Sequence, residues 1–496
     1  MHISNRLLKA RVTEELRERQ IKAEERPAFH LTPRTGWMND PNGFSFYKGK
    51  YHLFYQYNPY DTNWGPMHWG HAVSEDLIRW EYLPCALAPD SFLDKEGGCF
   101  SGGAVELDDG RHLLMYTGTR RERQPDGTTC DVQTQCLAIG DGIDYEKYEK
   151  NPVISELDLP EGGSRIDFRD PKIWKCDDGS FRCIIANRAA DKTGQLLLYR
   201  SRDAFEWEYE STLLENHGEY GIMWECPDLF SLDGSDVILM SPQDMQPTDD
   251  GFAPGNDGLC MIGECDGQGH FRKKSVSPID YGLDFYATQS ILSPDGRRIM
   301  LGWMQDWDGV PYRKENMAWF GQVTLPREHR VTNGRLIQTP IREIERYRGK
   351  KCEINEPKVS GDKPLVLDQL SGRTSDITVV IRPEDTCTKA ELRFAEGGGH
   401  YASVTLRPKE RSITLDRSHT GVRRNVSHTI TTGYTTEDGS VTIRLILDRY
   451  SAEIFLGDGE KVMSMTYYSA EDEDGVSVRA EGSASVTVEG YRLELC

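Results

Sequence analysis

The chain has 496 residues and a formal charge of -21, from 59 Lys+Arg against 80 Asp+Glu. That length makes two domains the starting expectation, and that charge excludes ready binding to nucleic-acid phosphates or anionic membranes. Its 47 glycines and its aromatics (Trp 10, Tyr 22, Phe 16) favour β structure with many tight turns, and leave a small neutral substrate open.

Residues 1–28 are charged throughout and lack an apolar signal core, which reads as cytoplasmic. Leu7, Leu8, Val12, Leu16 and Ile21 fall on one stripe, predicting a short helical extension packed on the body or on a partner. No apolar run reaches membrane-spanning length. The twelve cysteines contain no C-x-x-C pair and have no histidine at zinc-like spacing, so they read as thiols, with no metal and no cofactor expected.

From residue 29 one hairpin form recurs: NGFSFYKGKYHLFYQ, GGAVELDDGRHLLMYT, PKIWKCDDGSFRCIIA, PDLFSLDGSDVILMS and QSILSPDGRRIMLGWM. The turn glycines are Gly49, Gly110, Gly179, Gly234 and Gly296, spaced by 61, 69, 55 and 62 residues. A turn ending in Gly before an apolar strand is a strong hairpin signal, and five such units predict a five-bladed β-propeller over 29–340. Ser74–Tyr82 and Ser201–Tyr209 echo each other at Ser, Asp, Trp, Glu and Tyr, two blades apart.

Nine residues before the turn glycines stand Asp40, Ser101, Asp170, Glu225 and Ala287. If these first strands line the axis, three carboxylates meet at one mouth, with Gln56 and Trp303 brought there by the second strands. Mutual charge must then raise at least one pKa, and one protonated acid beside one ionised acid is the arrangement that cleaves a glycosidic bond. The short Asp40 suits a nucleophile, and the longer Glu225 suits a proton donor to the leaving oxygen. Asp170 follows Arg169, whose charge should keep it ionised. Each motif alone is an ordinary turn, ion pair or packing residue; only the shared register makes them a site.

Trp37-Met38-Asn39-Asp40-Pro41-Asn42-Gly43, Phe100-Ser101-Gly102, Arg169-Asp170-Pro171 and Met223-Trp224-Glu225-Cys226-Pro227 resemble, in order and spacing, the motifs of glycoside hydrolase family 32, the β-fructofuranosidases. Asp284-Phe285-Tyr286-Ala287, Leu325-Pro326-Arg327-Glu328 and Asp448–Phe455 extend the resemblance over nearly the whole chain. It implies a retaining double displacement at C2 of a terminal β-fructosyl unit: Asp40 as nucleophile, Glu225 as acid and then base, Asp170 as stabiliser. It further implies that Trp37, Asn39, Gln56, Trp64, Phe100, Ser101, Arg169, Trp303, Asp284 and Tyr286 line the fructose subsite. Gly103 stands where many relatives carry Ser.

A linker is expected at 341–355, then a β-sandwich over 356–496, where period-two strands such as Asp376–Arg382 and Ser440–Leu447 recur. That second domain reads as a stabilising module rather than an auxiliary sugar binder. Sucrose, sucrose-6-phosphate and short fructo-oligosaccharides are the candidate substrates, and Arg120-Arg121-Glu122-Arg123 is a candidate phosphate cluster set against a plain solvated charge run. Two alternatives stay open: an inverting five-bladed glycosidase acting on arabinosyl or xylosyl units, and a sugar-binding propeller without catalysis. A homo-oligomer is neither indicated nor excluded.

Overall fold

The computed structural model describes residues 3–248, 251–436 and 438–495. Five sheets follow one another along the first two thirds of the chain, and two larger sheets form the remainder. The five begin with Gly36–Tyr47, Gly98–Glu106, Phe168–Lys175, Trp224–Leu232 and Tyr286–Leu292. Each of these inner strands packs against the inner strands of the sheets on either side, and the fifth returns to the first, closing a propeller-like ring. The ring is fastened by Trp319–Phe320, which pairs in parallel with the first inner strand, Gly36 opposite Trp319 and Trp37 opposite Phe320.

The five turn glycines have φ of 82°, 79°, 85°, 78° and 85°, the left-handed region that side chains avoid and the hairpins require. The echo at Ser74 and Ser201 is a shared turn between the third and fourth strands of sheets one and three. In each copy the serine Oγ accepts the N–H of a residue with positive φ three places on, Leu77 at 2.8 Å and Ala204 at 2.9 Å.

The helix Asn5–Glu18 is capped by Ser4, whose Oγ accepts the Leu7 N–H at 3.1 Å. Only part of the expected stripe faces the body. Leu7 and Ala10 pack inward with Glu14, whereas Leu8, Val12 and Leu16 are about half exposed. Polar anchoring decides the rotation: Glu14 accepts the Cys85 N–H at 2.8 Å, and Arg11 donates to the Cys85 carbonyl at 3.0 Å.

The second domain is a sandwich of two six-stranded sheets, its core built from the inward residues of both. The expected linker over 341–355 is corrected here. Residues Arg342–Tyr347 form a 3-10 turn, and Arg348–Ser360 is already a sandwich strand paired with Ser483–Leu493. The charged surface of that segment hid its period, because only one of its faces is covered.

The seam between the domains is charged and fully buried. His30 bridges Asp448 (2.8 Å) and Glu453 (3.0 Å). Arg327 Nη2 reaches Glu453 (2.7 Å), Asp280 (2.8 Å) and Ser464 Oγ (2.6 Å). The carboxylates hold the His30 imidazole at about 9, well above its ordinary value, against the burial that opposes its charge. Asp448 and Glu453 stay below the usual carboxylate range despite burial, because His30 and Arg327 face them.

Candidate active site

Every inner strand carries a bulge at the same level. Asn39 and Asp40 together oppose Gln56; Ser101 is unpaired; Asp170 and Pro171 oppose Ile185; Cys226 and Pro227 oppose Met240; Ala287 is unpaired. A bulge bends the strand and re-aims one side chain, here toward the axis. Asp170, Cys226 and Ala287 take positive φ of 63°, 48° and 50° to make it. Proline tolerates these positions because an unpaired residue needs no N–H for the ladder.

The second strands hold the bulges. The Thr117 hydroxyl accepts the N–H of Asp170 at 3.0 Å, and the Ser241 hydroxyl accepts that of Ala287 at 2.8 Å. Thr117 and Ser241 lie seven residues after Gly110 and Gly234, as Gln56 and Trp303 do after theirs. Gln56 in turn donates to the Cys99 carbonyl at 3.0 Å. In each case a residue of one sheet supports the inner strand of the next.

Asp40 accepts from Ser101 Oγ (2.6 Å) and from Asn39 Nδ2 (3.0 Å), and Asn39 is fixed by the Trp37 indole N–H (2.7 Å). Glu225 accepts from Arg169 Nε (2.9 Å) and Gln243 Nε2 (2.9 Å), and lies 2.7 Å from the Tyr286 hydroxyl. Asp170 lies deeper and accepts the Cys226 N–H at 3.0 Å. The Cys226 thiol sits between the aspartates, 3.6 Å from Asp40 and 3.8 Å from Asp170. Burial, with those carboxylates, pushes it well up, so it stays a thiol. Asp40 and Glu225 are the two acids left partly open to the mouth.

Burial and the Glu225 charge raise Asp40, although Ser101 and Asn39 oppose the shift. Asp170 is raised for the same reasons, and Arg169 does not prevent it. Arg169 acts to keep Asp170 ionised, as expected, but only in part, because its guanidinium turns to Glu225 and to Asp167, the latter at 3.0 Å.

The aromatic wall places Trp37 5.9 Å from Trp303 and stacks it 5.0 Å from Phe320. Trp64 meets Phe100 edge-on at 6.2 Å and is 49% exposed, which puts it at the rim. Asp284 is not brought to the acids. It binds Arg417 and accepts from Thr466 N (2.7 Å) and Oγ1 (2.8 Å), a buried link to the sandwich. At Gly103 a Cβ would lie 3.0 Å from Ile173 N and 3.2 Å from the Pro171 carbonyl, so the strand leaving the Asp170 bulge approaches too closely for a side chain there without a shift. Gln243, Cys226, Thr117 and Ser241 were not singled out by sequence reasoning, yet for Thr117 and Ser241 the same frame that marks Gln56 was available. Among the described residues no cluster of three or more His, Cys, Asp or Glu is arranged to hold a metal ion.

A strained ring of three acids within a propeller, backed by an aromatic wall, defines a glycoside-cleaving class of site. Family models agree: the glycosyl hydrolases family 32 N-terminal domain matches residues 30–340, and the family 32 C-terminal domain matches 343–493. The chain belongs to glycosyl hydrolases family 32. It is 36% identical over 483 residues to a raffinose invertase of Escherichia coli, covering 94% of each chain. It is 34% identical over 496 residues to a sucrose-6-phosphate hydrolase of Bacillus subtilis, covering 97% of each. A solved β-fructofuranosidase of Bombyx mori superposes with a TM-score of 0.83 at 36% identity over 98% of both chains, and a substituted form of that enzyme was solved with sucrose.

Proposed function

We propose that this enzyme is a retaining β-fructofuranosidase that releases terminal non-reducing β-D-fructofuranosyl units, with Asp40 as nucleophile, Glu225 as acid and then base, and Asp170 as stabiliser of the fructosyl hydroxyls. The observation that carries this reading is the pairing at the mouth: two part-exposed carboxylates with a third buried beneath them. Ser101 and Asn39 orient Asp40 for attack. Tyr286 can give its single proton to the Ser241 carbonyl, 2.9 Å away, and accept from a protonated Glu225 oxygen, so a proton on that oxygen is accommodated without losing a bond. Trp37, Trp303, Gln56 and Arg169 wall the fructosyl unit; Phe100 and Trp64 stand at its edge. We read the five sheets as the blades of a five-bladed propeller spanning 29–340, preceded by a helical extension and followed by the sandwich.

Sucrose is favoured over its phosphorylated form by the engagement of two of the three arginines in the candidate phosphate cluster: Arg120 is paired with Glu122 (2.9 Å) and Glu156 (2.6 Å), and Arg121 with Asp131 (3.0 Å). NMR of the first fructose released from sucrose tests the mechanism. The β-anomer must appear first; release in inverted configuration would sink the assignment and favour the inverting alternative. Sugar binding with no cleavage by the unsubstituted protein would favour the sugar-binding alternative, and retained cleavage in Asp40→Ala would remove Asp40 as the nucleophile.

A further inference from the structure

The loop 304–318 stands at the rim. Its Trp307 stacks on Trp37 at 6.2 Å and meets Trp303 at 5.1 Å. From the same loop, Arg313 donates to the Thr62 carbonyl at 2.9 Å and to Asn63 Oδ1 at 2.8 Å, tying down the turn that presents Trp64.

Much of the hold on this loop comes from the second domain. Tyr312 is fully buried with the Arg417 guanidinium 3.8 Å over its ring and its hydroxyl 3.0 Å from Thr420 Oγ1. Arg424 donates to the Arg313 carbonyl at 3.3 Å and to Glu315 at 3.2 Å. Arg417 is itself locked by Asp284 and by the Thr466 carbonyl at 3.0 Å. A sandwich segment, 417–428, thus braces the propeller loop that braces the Trp64 turn.

We propose that segment 417–428 of the β-sandwich is a positioning element for leaving-group recognition. By fixing loop 304–318, and through Arg313 the Trp64 turn, it sets how firmly the sugar beyond the fructosyl unit is held. Asp40, Asp170 and Glu225 are held by bulges internal to the propeller, and the loop reaches them only indirectly, through Trp307 against Trp37 and Trp303. A half-exposed tryptophan on a turn loses binding energy to its own freedom unless it is tethered, which is what this chain of contacts supplies. The proposal rests on the fructosidase reading.

The test compares sucrose with methyl β-D-fructofuranoside, whose leaving group is too small to reach Trp64. In Arg424→Ala and in Tyr312→Phe, which is the gentler change, KM for sucrose should rise by about tenfold at most with kcat little altered. The kcat/KM for the methyl fructoside should stay within about twofold of the unsubstituted enzyme. Arg424→Lys should restore part of the sucrose affinity. Equal losses on both substrates accompanied by a lower melting temperature, or no change on either, would overturn the proposal. Failure of the unsubstituted enzyme to cleave either substrate would instead remove the fructosidase reading itself.

Discussion

Two buried charge clusters in this chain are built to opposite ends. At the seam, His30 and Arg327 face Asp448, Glu453 and Asp280 at hydrogen-bond distance, and Asp448 and Glu453 stay ionised below their ordinary range. At the mouth, Arg169 pairs with Glu225 and leaves the other two acids without a salt bridge to it, and Asp40 and Asp170 are driven upward. Pairing makes the first a clasp. Deliberate under-pairing makes the second reactive, and it costs stability at neutral pH, because a carboxylate whose pKa is raised by folding is less favourably ionised in the folded chain than in the unfolded one.

The contrast is broken most sharply by Asp40→Asn. Turnover of sucrose should fall by on the order of 10^4-fold, while the melting temperature at neutral pH rises as one repelling charge is removed; a lower melting temperature would contradict the under-pairing. At the clasp the sign reverses. Arg327→Met strands Glu453 and Asp280 in the interior and should cost about 3–5 kcal/mol in a denaturant titration, and adding Glu453→Gln should recover part of that loss.

Stability should also follow pH in two limbs. His30, raised to about 9, stabilises fully below the ordinary histidine value of 6.5 and loses its contribution as pH climbs toward 9. His52 and His68, each lowered to about 4 by burial, act in reverse: their contribution is complete above 6.5 and fades as pH falls toward 4. Each of these histidines is worth on the order of 3 kcal/mol, so thermal midpoints should peak between the two limbs, and His30→Gln should flatten only the alkaline side. The smallest effect is a difference of differences. Glu225→Gln should slow sucrose far more than an activated aryl fructoside, since only glucose needs a proton to leave.

Much of this was legible in the chain because the repeat is marked by chemistry that side chains cannot imitate. Positive φ at five hairpin turns calls for glycine, and counting from those glycines reaches Asp40, Asp170 and Glu225. The bulges were less visible, since Asn39-Asp40-Pro41 and Arg169-Asp170-Pro171 also read as plain turns. Asp284 misled for a tertiary reason: its partners Arg417 and Thr466 lie 133 and 182 residues away, in another domain. The linker was misplaced because Arg348–Ser360 is charged on its open face, and the helix face was misjudged because Glu14 and Arg11 outweigh Leu8 and Val12 in docking it. Arg327 and Glu453, from two segments that carried the family resemblance, meet at the seam rather than at the site.

The central claim is that Asp40 attacks and Glu225 both protonates and later activates water. Glu225→Gln treated with an activated aryl β-fructofuranoside, then digested and analysed by mass spectrometry, tests it directly. A fructosyl adduct should accumulate on the peptide that contains Asp40 and be absent from the double variant with Asp40→Ala. An adduct on another residue, or none while aryl release continues in that double variant, would contradict it.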